Sequence, residues 1–186
     1  MSPNKSFASR AGEKLDFALT KFGIDVTNAV CADLGCSTGG FTDCLIRREA
    51  KQVYAVDTGY GILDWKLRNN PKVRVLERTN ALFLTLPQKM DFISIDVGWT
   101  RQKNILPKAL ELLKPEGNIV SLLKPHYEAQ NIQLDHGKVF PDQLENVLND
   151  VLSQLKKINI NIQGLIQSPI TGQKGGNIEY LLWIRF

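Results

Sequence analysis

Residues 29–57, AVCADLGCSTGGFTDCLIRREAKQVYAVD, hold the stretch whose reading decides the fold. The apolar run over 29–34 closes on an acid and a glycine, as expected of a strand buried on both faces in a parallel sheet. Helical spacing follows over 41–48. Residues 52–57 repeat the first pattern, apolar and β-branched with an acid at the end. A strand, a glycine-rich turn, a helix and a second strand make one βα unit with its parallel partner.

Working outward, Leu15, Ala18, Leu19 and Phe22 recur at helical spacing from Ser9 onward, and Gly23 stops that helix. Toward the C-terminus, strands are expected over 72–76, 91–97 and 118–123. A helix over 104–113 is closed by Lys114-Pro115-Glu116-Gly117, a helix stop followed by a turn. Another helix is expected over 141–157, with Leu144, Val147, Leu148, Val151 and Leu155 on one face. Two last strand-like runs, 159–167 and 177–184, are joined by a segment too short for a crossover helix, so they are antiparallel. The expected fold class is α/β: a doubly wound, mostly parallel seven-stranded sheet of five βα units with an antiparallel last strand. One domain over 9–186, with an N-terminal arm over 1–8, accounts for the chain.

Composition agrees with one globular domain of 186 residues, 43% hydrophobic and 23% charged. No apolar run approaches the roughly 20 residues of a membrane span, and the polar start MSPNKSFASR lacks the apolar stretch of a secretory signal. A cytoplasmic protein without a membrane partner is the expectation. Cys31, Cys36 and Cys44 show no metal-ligand spacing, so buried thiols are expected rather than a redox or metal role. The net charge of +4 permits a polyanionic partner without demanding one. The cations gather in two places, Lys5, Arg10, Lys14 and Lys21, and then Lys66, Arg68, Lys72, Arg74 and Arg78; a merely solvated face is the competing reading.

In an open α/β sheet the ligand sits beyond the carboxyl ends of the strands, which singles out the turn after the first strand. Gly35, Gly39 and Gly40 let the backbone pass close to a ligand and pack the next helix. The spacing is not G-x-G-x-x-G, which makes it a poor dinucleotide fingerprint, and Asp33 argues against a pyrophosphate. A cationic sulfonium nucleoside, S-adenosylmethionine, needs acids and hydroxyls instead. Asp57 can accept from both ribose hydroxyls, and the turn Glu77-Arg78-Thr79-Asn80 would border the adenine. With Ser37, Thr38, Phe41 and Thr58 these residues make the expected cofactor set. That ligand and the terminal hairpin belong to a Rossmann-like methyltransferase rather than a dehydrogenase.

Four polar residues stand where a buried fold disfavours them. Asp96 ends the fourth strand, Lys124 ends the fifth, Glu179 interrupts the last between Ile178 and Tyr180, and Lys14 lies in the first turn of the N-terminal helix. A structural pairing of Glu179 with Lys124 is the plainer account of part of this set.

The segments SRAGEKL, DLGCSTGGFTDCL, VYAVDTGYG, VLERTN, FISIDV, LLKPEG, LLKPHYEA and SPITGQKGGNIEYLL resemble, in order, the FtsJ-like ribose 2′-O-methyltransferases, and among them the TlyA-like branch long labelled hemolysins. The resemblance runs from Ser9 almost to the C-terminus. It implies that Lys14, Asp96, Lys124 and Glu179 are the family's Lys-Asp-Lys-Glu catalytic tetrad, with Asp96 also touching the cofactor. It implies methyl transfer to a ribose 2′-hydroxyl, normally in ribosomal RNA, with RNA or a ribosomal subunit as partner and no metal. Lys124 would take the proton. An ordinary lysine pKa near 10.4 is too high for that at neutral pH; burial and Lys14 would lower it, whereas Asp96 and Glu179 would raise it.

Three departures from the family pattern matter. TlyA-like proteins begin with a small RNA-binding domain, and this chain starts almost at the methyltransferase helix, so recognition is expected from the catalytic domain or a partner. After Asp96 comes Gly98-Trp99-Thr100-Arg101, where relatives have a small, apolar stretch; Trp99 and Arg101 could grip a nucleotide, or Trp99 could cover the core edge. His126 and Tyr127 stand where relatives carry an amide and Phe. With Arg10 these are the candidate substrate residues. A non-catalytic RNA-binding protein of the same fold, or a methyltransferase with a small-molecule or protein substrate, is the alternative.

Overall fold

In the computed structural model, which describes residues 6–172 and 175–185, helix α1 (Ala11–Phe22) leads into β1 (Val30–Leu34), α2 (Gly40–Arg47) and β2 (Gln52–Val56). A single-turn helix α3 (Trp65–Arg68) precedes β3 (Val73–Leu76). Then come β4 (Met90–Ile95), α4 (Gln102–Leu112) and β5 (Leu113–Leu123). A short α5 (Pro125–Glu128), a hairpin of β6 (Leu134–Asp135) and β7 (Lys138–Val139), α6 (Leu144–Lys157), β8 (Ile162–Gln167) and β9 (Tyr180–Arg185) complete the order.

The seven-stranded sheet runs β3-β2-β1-β4-β5-β9-β8. β1 lies between β2 and β4, parallel to both, and is buried at all five positions, as its uninterrupted apolar sequence requires. β9 is inserted between β5 and β8 and is antiparallel to each. The two crossover directions part at β1, so the carboxyl ends of β1 and β4 flank a topological switch point.

Alternation along β1 divides the core. Val30, Ala32 and Leu34 join Ile105 and Leu106 of α4 and Val151 and Leu155 of α6; Cys31 joins Leu15 and Leu19 of α1 and Phe41 and Leu45 of α2. Helices thus cover both faces, and each of the buried valine, leucine, isoleucine and phenylalanine side chains contributes about 1.5–3 kcal/mol. α1 ends at Gly23 with φ +67, where the amide of Ile24 donates to the carbonyl of Leu19 at 2.9 Å; this left-handed cap explains why glycine stops the helix. No described helix is long and apolar enough to cross a membrane.

The structure corrects several local expectations. Only a 3-10 turn, Ala81–Phe83, connects β3 to β4, so that unit has no helix. Lys114-Pro115-Glu116-Gly117 is not a free turn: β5 begins at Leu113, paired with Met90, and the turn residues sit in a register shift between Met90 and Phe92 before regular pairing resumes at Asn118. A bulge absorbs the turn chemistry without ending the strand. α3, α5 and the β6–β7 hairpin were not expected. β9 starts at Tyr180, so Glu179 sits at its threshold rather than inside it, with its carbonyl accepting the Ser168 amide at 2.8 Å. Of the N-terminal arm, residues 1–5, Lys5 included, lie outside the described residues. Its described part is tied down: the Ala8 amide donates to Asp43 Oδ2 at 2.8 Å, and the Ser6 carbonyl accepts Arg47 Nη2 at 2.7 Å.

Candidate functional site

Topology alone brings Asp96, Lys124 and Glu179 together. Asp96 follows the last residue of β4, and its amide still donates to the Leu34 carbonyl at 2.9 Å. Lys124 follows β5. Because β9 is antiparallel, its first residue, Tyr180, pairs with Leu123, which sets Glu179 beside the lysine. Lys14 reaches the same place from the first turn of α1.

Two ion pairs result. Lys124 Nζ lies 2.6 Å from Asp96 Oδ1, and Lys14 Nζ lies 2.5 Å from Glu179 Oε2. Lys14 and Glu179 are only 6% and 4% exposed, so each needs the other's charge. Glu179 therefore pairs with Lys14 rather than Lys124. Burial pushes the Lys124 pKa down, but the charge and hydrogen bond of Asp96, with Glu179 and Tyr127 behind them, carry it above the ordinary lysine value. The competition left open in the sequence resolves in favour of the acids.

Two cavities adjoin here. The first, about 430 Å³, is lined by Ser37, Asp57, Thr58, Thr79, Asn80 and Asp96, with Val56, Ala81, Leu82 and Ile105 supplying apolar wall. Asp57 accepts the Ser37 amide on Oδ2 and the Gly59 amide on Oδ1, both at 2.8 Å, leaving each oxygen able to accept again. The second, about 540 Å³, is lined by Arg10, Lys14, Thr38, Phe41, Tyr127 and Glu179, among others. Gly35, Ser37, Asp96 and Lys124 line both. An acid and a lysine stand at the junction.

The glycines serve the framework. A Cβ on Gly35 would meet the Asp96 carbonyl oxygen at 2.5 Å, at a φ of +86, so glycine lets the ends of β1 and β4 close up. One on Gly39 would meet Leu67 and Leu63 at 2.4 and 2.7 Å, and one on Gly40 would meet Ser9 Oγ at 2.3 Å. Neither Gly39 nor Gly40 lines a cavity, and nor does Asp33. That carboxylate is fully buried, accepting Thr42 Oγ1 at 2.7 Å and Ser94 Oγ at 3.0 Å. Burial raises its pKa to about 7 against the lowering effect of those hydroxyls. Asp33 fastens α2 and β4 to β1; the structure gives it no ligand-facing side.

Trp99 lies outside both cavities, 87% exposed at a φ of +58. Its ring stacks on Tyr127 at 4.9 Å and 25°, while Lys124 Nζ stands 5.4 Å over the other aromatic, Tyr127. His126 lines the second cavity. Its Nδ1 is buried with no hydrogen-bond partner among the described residues, and burial followed by the Lys124 charge lowers its pKa. Arg10 donates to the Thr171 carbonyl at 3.2 Å. Arg101 is the extended residue that caps the start of α4, and it lines neither cavity. Sequence reasoning missed Ala8, Ser9 and Gly172, which line the second cavity and carry no chemical signature. The three cysteines are buried and free, and burial raises their thiol pKa values, that of Cys44 to about 12, so none is a thiolate nucleophile. The described residues hold no His/Cys/Asp/Glu group able to hold a metal ion.

A parallel sheet with a reversed β9 between β5 and β8, hollowed at the switch point beside an acid-ended β2, is the Rossmann-like fold of S-adenosylmethionine-dependent methyltransferases. The chain belongs to the FtsJ-like methyltransferase family, whose model matches residues 7–186. It is 40% identical to Hemolysin A of Brachyspira hyodysenteriae over 189 residues, covering 96% of this chain and 76% of that protein. It is 38% identical to the 16S/23S rRNA (cytidine-2′-O)-methyltransferase TlyA of Mycobacterium tuberculosis, covering 97% of this chain and 69% of that one. A hemolysin-named solved structure from Streptococcus thermophilus superposes with a TM-score of 0.92 at 36% identity, over 100% of this chain and 69% of that chain.

Proposed function

We propose that the protein transfers a methyl group from S-adenosylmethionine to a ribose 2′-hydroxyl of ribosomal RNA, with the ribosomal subunit as its cytoplasmic partner. The observation that carries this reading is the meeting of two cavities at Asp96 and Lys124, with the Lys14–Glu179 pair on the wall of the second. Relatives named as rRNA (cytidine-2′-O)-methyltransferases support the choice of RNA.

The first cavity suits the donor. Asp57 keeps free lone pairs for a ribose diol, Thr58 and Thr79 add hydroxyls, Ala81, Leu82 and Ile105 suit a flat ring, and Asp96 suits a cation. The cofactor supplies a methyl group on a positively charged sulfur. Displacement demands that the attacking oxygen, carbon and sulfur lie in line, and the junction at Gly35, Asp96 and Lys124 is where a donor in one cavity meets an acceptor in the other.

Lys124 is held as an ammonium by Asp96, so in the resting protein it donates to the acceptor oxygen and orients it. Asp96 would also face the sulfonium of a bound donor, and sharing its charge in that way would loosen its hold on the Lys124 proton. With its ammonium proton released to solvent, Lys124 Nζ would take the hydroxyl proton as the O–C bond forms and the carbon–sulfur bond breaks, the electron pair staying on sulfur; general base catalysis of this kind contributes about 10²–10⁴-fold. Glu179 and Lys14 neutralise each other and keep the far wall rigid. The exposed Trp99–Tyr127 stack offers the acceptor's base a platform.

Purified protein with methyl-labelled S-adenosylmethionine should label RNA in ribosomal subunits. Absence of label in either subunit and in free ribosomal RNA would overturn the proposal.

A further inference from the structure

Between residues 60 and 80 the chain carries five cations, Lys66, Arg68, Lys72, Arg74 and Arg78, against two carboxylates, Asp64 and Glu77. The structure divides them. Arg68 pairs with Glu77, which also accepts the Gly61 amide at 2.9 Å, stapling the loop after β2 to the turn after β3. Lys66, Lys72, Arg74 and Arg78 are exposed. The first three of these have no carboxylate partner among the described residues.

Two aromatic rings stand beside Arg78 and Lys66. Tyr60 and Trp65 are 71% and 74% exposed, and the Arg78 guanidinium lies 4.3 Å over the Tyr60 ring. Their segment is not loose. Leu63 and Leu67 are buried against Gly39, and the Asp64 amide donates to the Thr38 carbonyl at 3.1 Å. The segment is fastened to the glycine turn by its apolar side and presents rings and cations to solvent. Thr58 and Thr79, at the roots of the same two loops, line the first cavity, so the face begins at the cavity's rim.

The anchored segment holds both rings out to solvent, available to a partner. Exposed cations without an ion-pair partner favour a polyanion. Rings that stack on bases, interleaved with cations that hold phosphates, are the equipment for single-stranded nucleic acid. Resting on the RNA methyltransferase reading, we propose that loops 58–69 and 77–79 form a second RNA-holding surface. Unpaired nucleotides flanking the acceptor stack there on Tyr60 and Trp65, and Lys66 and Arg78 hold their phosphates.

The test measures binding of a fluorescein-labelled hairpin RNA with an unpaired loop, by anisotropy across a salt series, to the full chain and to Trp65→Ala and Lys66→Gln. Trp65→Ala should weaken binding about tenfold. Lys66→Gln should reduce the slope of log affinity on log salt by about 0.7, the loss of one phosphate contact. S-adenosylmethionine affinity and melting temperature should stay at wild-type values, which shows that the variants fold. Wild-type RNA affinity and slope in both variants would overturn the proposal, as would wild-type protein that binds no RNA. Methyl transfer run in parallel separates the two claims. Transfer by wild type with normal RNA binding in the variants sinks the surface alone; loss of binding in the variants, with no transfer by wild type, upholds the surface and sinks the activity.

Discussion

Replacing Glu179 by Met tests the Lys14–Glu179 pair more sharply than any activity measurement. The substitution keeps length and apolar stem but leaves the Lys14 ammonium buried at 6% exposure, with its 2.5 Å partner gone. Removing one member of a buried pair costs about 3–5 kcal/mol, because the survivor's desolvation is no longer compensated. The pair borders a cavity that water can enter, so the low end, about 3 kcal/mol, applies to Glu179→Met and equally to Lys14→Met. The double variant replaces the pair by two apolar side chains of similar size and should cost no more than about 1 kcal/mol. Urea unfolding of all four proteins without cofactor should therefore show strong coupling, with the double variant more stable than either single one. Additive losses, about 6 kcal/mol in the double variant, would refute the account of this pair. The stable double variant should still lose methyl transfer at least a hundredfold, which separates packing from chemistry.

Two further outcomes are expected. Asp33, with its folded pKa raised to about 7 from an unfolded value near 3.9, binds its proton more tightly when folded. The sign follows for this group: its contribution to stability is greatest below the unfolded value, falls as pH rises from about 4 to 7, and is level above that. The gap of about three pH units amounts to roughly 4 kcal/mol. Thermal melts of Asp33→Asn should lack that slope, and parallel curves for the two proteins would contradict it. Gly35→Ala would place a Cβ 2.5 Å from the Asp96 carbonyl oxygen at a φ of +86, costing about 1–3 kcal/mol and displacing the acid at the junction. Calorimetry should show cofactor affinity down tenfold or more; unchanged affinity would refute that reading of the turn.

Much of the fold was legible because buried parallel strands are apolar throughout and their helices keep a 3.6-residue period; β1, β2, β4 and α6 fall where the pattern puts them. What misled was chemistry with two uses. Pro115-Glu116-Gly117 suits a turn, but it also suits a bulge, and only pairing with Met90 tells them apart. Asp33 and Asp57 are both acids at strand ends, yet they differ by position in the pleat. Asp33 is still within β1, two residues after Cys31 and so on the α1–α2 face, where Thr42 takes it. Asp57 is one residue past β2 and therefore free to face the cavity. Lys14 and Glu179 are 165 residues apart in the chain; both stood out as polar residues in disfavoured places, but no local pattern joins them, and the sequence set Glu179 against Lys124 instead. Trp99 stands out through a left-handed backbone after Gly98, a geometry that composition does not reveal.

The central claim is that Lys124, paired with Asp96 where the two cavities join, carries methyl transfer to a ribose oxygen. Nucleoside mass spectrometry of ribosomal RNA treated with wild type and with Lys124→Ala tests it most directly, with cofactor binding measured on both. Wild type should yield one 2′-O-methylated nucleoside, and Lys124→Ala should yield none while binding S-adenosylmethionine normally. A base-methylated product, or a 2′-O-methyl product undiminished in Lys124→Ala, would contradict the account.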